Sequence, residues 1–331
     1  IKVEWDSTND GELHWLDVSE SSLEAVVDGD IAVYSGVFNS YVDTMDYITI
    51  TSTGNATDFG NMTVGKDSCA TTANGGNGRG LHFMGRLSGG TETNIIEYIT
   101  INTPGNATDF GDCSSATYNA SACSNGINDR GVVSLGIITD SNDSNVLEYV
   151  TISSTGNATD FGDMTVLCSY GGGTSNGIND RGIILRGNST GGGVTFNNHI
   201  EYITISSTGN STDFGDLTEA KHGLSGTTSN GTSDRAVVGG GVNSSAKVNV
   251  IEYFTISSTG NATDFGDLSN THKYVGAASN GTGDRAVWSG GFDATVNVME
   301  YVTISSTGNA TDFGDSTASG MSQGVSNAGG N

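Results

Sequence analysis

The sequence predicts an all-β fold, a β-propeller built from six four-stranded antiparallel repeats. Three observations carry this. The string T-G-N-A-T-D-F-G, or a near copy, occurs six times, with its Phe at Phe59, Phe110, Phe161, Phe214, Phe265 and Phe313. Successive Phe lie 51, 51, 53, 51 and 48 residues apart, a period that belongs to solenoids and propellers. The apolar residues fall in short β-branched clusters with no helical periodicity, which signals many thin strands. A right-handed β-helix also repeats, but its coils are shorter and need no hairpin turns.

Each element of a blade can be placed in turn. Twelve residues before every Phe stands a Tyr preceded by an acid, as in Glu97-Tyr98. Around it, Ile96 and Tyr98 share one strand face while Ile99 and Ile101 share the other. A strand that is apolar on both faces is covered on both faces, so the repeated Tyr and Phe are expected to be hidden between neighbouring blades. Gly105-Asn106 predicts a tight hairpin turn using positive φ, leading into an outer strand around Asp109-Phe110. The stretch after each repeated Arg, such as Ala236-Val237-Val238, reads as another strand. Ahead of it lies a small-residue strand, such as Val275-Gly276-Ala277-Ala278, suited to the crowded axis of a propeller.

The spacings separate two faces. Phe to the next Arg is 20 or 21 residues, whereas Arg to Tyr ranges from 16 to 21. Length variation therefore sits between the second and third strands. Insertions collect where packing does not constrain the chain. That loop shares a face with the connections between blades, and the uniform Ser-Thr-Gly-Asn turns lie on the opposite face. The variable face is the expected recognition surface.

The repeats run roughly over residues 22–72, 73–123, 124–174, 175–228, 229–278 and 279–327 of one domain, with 1–21 as an N-terminal hairpin or closure segment. Gly324-Val325-Ser326-Asn327 matches an innermost strand and is in phase with Asp30-Ile31-Ala32-Val33, which would close six blades. Leu23-Glu24-Ala25-Val26-Val27 reads as an innermost strand too, and a composite seventh blade from the two termini is the alternative. The reading leans to seven.

Composition narrows the partners. Twelve Lys+Arg against 37 Asp+Glu give a net charge of −25 and a pI near 4.1. Such a chain is repelled by phosphate backbones and anionic bilayers, so no nucleic acid is expected as a partner. The longest apolar stretch, near Val132 to Ile138, is far short of the roughly 20 residues of a spanning helix, and no membrane insertion is expected. The chain begins at Ile1 without Met or a leader, which reads as processed or trimmed.

Gly239-Gly240 and Gly290-Gly291, each followed by a Tyr on the next strand, resemble the kelch repeat, a β-propeller repeat. Only some copies keep the Gly pair, and D-F-G stands where that family has Trp. The longer pattern S-N-G, R-[GA]-V and I-E-Y-[IV]-T-I-S-S-T-G-N-A-T-D-F-G-D-L is similar to kelch-like arrays in predicted structural proteins of marine tailed phages, over roughly residues 22–327. The resemblance implies a virion component such as a tail fibre or appendage, and it carries over no catalytic residue.

The candidate chemistry is mostly structural. Arg79, Arg130, Arg181, Arg235 and Arg285 recur in five copies, and an Arg fork can grip a carboxylate by two parallel bonds. A latch within or between blades is expected, pairing them with the D-F-G acids Asp58, Asp109, Asp160, Asp213, Asp264 and Asp312. These Asp-rich turns lack the alternating order of a calcium loop, so no cofactor is expected and Ca²⁺ is the lesser alternative. Asn55, Asn106, Asn157, Asn210, Asn261 and Asn309 head N-x-[ST] sequons in the repeated turn and are possible N-glycosylation sites in a secreted setting. Of the four Cys, Cys113 and Cys123 are the expected disulfide if one forms. The five His share no register, and no catalytic motif appears, so no catalytic or metal site is expected.

The functional expectation is a non-enzymatic structural or attachment module on a virion surface. Its variable face would meet host surface carbohydrate or other virion or extracellular structural proteins. The alternatives are a secreted or filament-forming glycoprotein and a glycan-active propeller enzyme.

Overall fold

The computed structural model describes residues 29–37, 40–138, 142–188, 195–291 and 297–328. Blade three shows the plan: an innermost strand Ser121–Ser124, then Arg130–Ser134, Asn142–Thr151 and an outermost strand Thr159–Cys168, all antiparallel. Five further blades repeat it, four as separate four-stranded sheets. The extra strand Ile137–Ile138 pairs with both Thr117–Tyr118 and Asn142–Asp143, fusing blades two and three along the variable face.

The innermost strands close a ring. Ala70–Ala73 packs beside Ser121–Ser124, followed by Gly172–Ser175, Thr227–Ser229, Gly276–Ser279 and Met321–Ser326, which returns to Ala70–Ala73. Met321–Ser326 pairs with Ile31–Val37 and is the innermost strand of blade one. Among the described residues the ring is therefore six-membered and closed, which overturns the lean towards a composite seventh blade. Lys2–Trp5, Leu13–Leu16 and Leu23–Val27, invoked for that blade, lie outside the described residues.

The D-F-G string is a β-bulge. Leu147 faces Gly162 while Glu148 faces Asp160, leaving Phe161 as the extra residue, and the same slip recurs in every blade. A bulge adds one residue and bends the strand. Phe161 is buried, and Tyr149 meets it edge-on at 6.2 Å between ring centroids. All six Phe are buried as expected, but all six Tyr are only half-buried. The apolar core forms six clusters, mostly between neighbouring blades, such as Ile183, Leu185, Ile200 and Phe214 against Val238, Phe254 and Ile256.

The repeated turn is not the tight positive-φ hairpin expected from Gly105-Asn106, since none of the six turn Asn has positive φ. It is a longer loop that docks on the preceding blade. Gly209 N–H donates to Phe161 O at 2.8 Å, Ser211 N–H to Asp163 O at 2.9 Å, and Asp163 N–H to Asn210 Oδ1 at 3.0 Å. The Asn acceptor recurs at every junction, including Asp315 N–H to Asn55 Oδ1, which joins blade six to blade one. Gly162, at φ +146°, leaves room for this turn, because a Cβ there would lie 2.5 Å from Gly209 O.

Candidate functional site

Most of the residues singled out above are used between blades. Arg130 lays its guanidinium over the Tyr149 ring at 4.5 Å and donates to the Ile205 and Ser206 carbonyls of the next blade. Arg79, Arg181, Arg235 and Arg285 repeat this, Arg285 reaching Ile50 O of blade one. The Arg latch joins blades, but its partners are carbonyls. Asp58, Asp109, Asp160, Asp213, Asp264 and Asp312 are exposed and form no ion pair with it among the described residues. The aspartates that matter stand just before Arg. Asp129 adopts left-handed φ (72°), accepts from Ser153 N–H and Oγ–H, and takes a 2.9 Å bond from Asn74 Nδ2–H of blade two.

A second ring of clamps uses the acid of the acid-Tyr pair. Glu97, Glu148, Glu201, Glu252, Glu300 and Asp46 are all buried. Each accepts from a Thr or Ser on the blade before: Thr63, Ser114, Thr165, Thr218, Ser269 and Thr317 respectively. Two of these clamps also hold a fully buried lysine: Lys66 lies 3.0 Å from Glu97, and Lys221 lies 2.5 Å from Glu252. The pull of Lys66 and the Thr63 bond outweigh burial and keep the Glu97 carboxyl below its usual range.

The cysteines form no disulfide. Cys113 lies on the outermost strand of blade two and Cys123 on the innermost strand of blade three, in separate apolar clusters, so the expected pair is not made. All four are free, buried thiols, and burial raises their pKa.

What remains unaccounted for gathers at one place. The chain has 11 Tyr, six of them in the repeat. Tyr34 is buried in a blade, its hydroxyl on Val287 O. The other four, Tyr41, Tyr118, Tyr170 and Tyr274, stand on or beside variable-face connections around the axis. Tyr170 lies 5.9 Å from Tyr274, and the His222 ring sits 5.3 Å from Tyr170 and 5.2 Å from Phe196. Arg86 spans Tyr118 and Tyr41 at 5.3 and 5.7 Å and pairs with Asp67 at 3.2 Å, while Lys273 lies 5.1 Å over Tyr274.

A chain of backbone bonds holds this mouth. Asn119 N–H donates to Ser68 O, Tyr170 to Asn119 O, Gly223 to Tyr170 O and Tyr274 to Gly223 O, at 2.8–3.1 Å. Every residue in the chain has left-handed φ, from 55° to 75°. Below it the axis is packed with Ala, Gly, Ser and Thr and has an open volume of only ≈ 30 Å³, about the share of one water molecule. No His, Asp or Glu lines this passage among the described residues. Burial pushes the Tyr170 hydroxyl up to about 12 and the Tyr274 hydroxyl up as well; burial, with Lys273 nearby, holds the His222 imidazole down at about 4. At neutral pH the mouth therefore presents the half-buried Tyr170 ring and the His222 imidazole, both uncharged, over a buried Tyr274. Sequence reasoning missed it by attending to what repeats; subtracting the repeat from the Tyr positions was the available signal.

No family model matches the chain, and no curated protein matches it in sequence. Among solved structures, 287 chains resemble it. One of these, the structure of YjhT, aligns at a TM-score of 0.64 with 11% identity over 86% of this chain and 95% of its own. YjhT is a β-propeller. The chain is a β-propeller. At this identity the likeness speaks for fold alone, and propellers host many activities.

Proposed function

We propose that the chain is a non-enzymatic recognition module, a stiff disc that presents its variable face to a partner. One observation carries this. The repeated Arg, the turn Asn and the acid of the acid-Tyr pair are bonded between blades, while Tyr41, Tyr118, Tyr170, Tyr274, His222 and Arg86, outside the repeat, collect on one face around the axis. A scaffold whose polar groups are internally satisfied has little left for chemistry, and function then sits in the loops it displays. The likeness of the repeat to arrays in phage structural proteins supports a place on a virion appendage, with surface carbohydrate or a neighbouring structural protein as the partner.

The buried native thiols make a selective test available. Ser244→Cys places a reactive thiol on the variable face and Thr155→Cys places one on the uniform face, both exposed. Each variant is capped with a bulky polymer and passed over immobilised surface glycans and purified structural proteins. Masking at 244 is expected to abolish retention and masking at 155 to leave it intact. The opposite pattern contradicts the proposal.

A further inference from the structure

We infer that the mouth of the axis on the variable face, between Tyr170 and Tyr274, binds the ring of a neutral sugar. This rests on the recognition reading above and names its ligand class.

The backbone gives the first reason. The bonded chain around the axis demands left-handed φ at each link, and the links are Ser68, Asn119, Tyr170, Gly223 and Tyr274. Gly and Asn suit that region, whereas a bulky side chain there costs about 1–2 kcal/mol. Two tyrosines occupy positions where Asn or Gly serves elsewhere in the same chain. Strain of this kind persists where the side chain has another use.

The polar atoms give the second. Ser68 and Ser225 line the mouth together with Asn119 and Gln323. Ser68 is 5% exposed, and neither its Oγ, nor Ser225 Oγ, nor His222 Nδ1 has a hydrogen-bond partner among the described residues. Buried hydroxyls without partners are rare. Each can both donate and accept, which matches the adjacent hydroxyls of a sugar, while the half-buried Tyr170 ring, backed by the buried Tyr274, suits its C–H surface.

Charge weighs against the other small ligands. Arg86 is committed to Asp67, and Lys273 rests on the Tyr274 ring. An anion would meet a protein of net charge −25, and a cation would meet Arg86 and Lys273 at the rim. The pocket at the mouth has an open volume of ≈ 20 Å³. The sugar ring therefore lies across the opening and sends a single hydroxyl inward.

Saturation-transfer NMR with methyl glycosides of neutral hexoses, alongside a sialic acid and tetramethylammonium, reads the class directly. Signal from at least one neutral glycoside and from neither charged probe is expected. Tyr170→Asn keeps a residue suited to left-handed φ, so its melting temperature should stay or rise while affinity falls about tenfold or more. Ser225→Ala is the second variant and should weaken binding severalfold. No transfer to any neutral glycoside overturns the inference, as does unchanged affinity in Tyr170→Asn. If sugars fail while masking at Ser244→Cys still blocks retention, the sugar class falls and the recognition face stands. If masking has no effect and the sugar still binds, the recognition reading falls instead.

Discussion

The two faces of the disc are built by different rules. On the uniform face, each turn after the third strand repeats the same residues because it must fit the bulge of the blade before it. Asn210 serves Asp163, Gly209 covers Gly162, and the pattern runs unbroken round the ring. On the variable face the corresponding connections differ in length and sequence, and around the axis they carry residues that the repeat does not contain. The comparison teaches that repetition here records inter-blade fit, and that departure from it marks where the chain is free to contact something else.

The largest effect should come from opening the ring. Ending the chain at Gly320 removes the innermost strand of blade one and should cost more than the roughly 5 kcal/mol that separates many domains from unfolding. Circular dichroism should then show no cooperative melt at 37 °C. Next, Glu97→Gln leaves Lys66 buried without its counter-charge, expected at about 3–5 kcal/mol. Glu148→Gln, whose clamp holds the Ser114 amide and no lysine among the described residues, should cost about 1–2 kcal/mol in the same urea titration. Gly111→Ala would put a Cβ 2.4 Å from Gly156 O and should cost about 2–3 kcal/mol. Gly105→Ala, in the docking turn with its nearest neighbour at 4.0 Å, should cost under about 0.5 kcal/mol.

A further effect concerns pH. His82 is fully buried, and burial lowers its pKa from 6.5 to about 4. The unfolded chain therefore takes up a proton first, and the stability present above about pH 6.5 is lost as pH falls towards 4. The loss should be about 2 kcal/mol between pH 7 and pH 5. Urea midpoints across that window should show it, and His82→Gln should flatten the slope.

The period was enough to read the propeller, since only a blade explains two-sided burial around Tyr with four thin strands per repeat. The partners of the charged residues were not legible. Asp160 and Arg130 sit in one repeat, but the bulge leaves Asp160 exposed, and the Arg finds a carbonyl about 75 residues on. Glu97 looked like part of an alternating strand because Thr63, its partner, lies 34 residues back on another blade. Cys113 and Cys123 are near in sequence yet fall on an outermost and an innermost strand. The blade count turned on whether the C-terminal strand completes blade one alone, a matter of ring closure that no local pattern encodes. Tyr170 and Tyr274 were passed over because each is a single departure within its repeat.

Amide hydrogen exchange tests most directly whether repetition records inter-blade bonding. The amides of Gly156, Ala158, Gly209 and Ser211 lie in turns with mostly exposed side chains, yet each is bonded to the neighbouring blade. They should exchange as slowly as strand amides, while Ser88 and Gly89 on the variable face exchange quickly. Equal, fast exchange in both sets of turns would contradict the account.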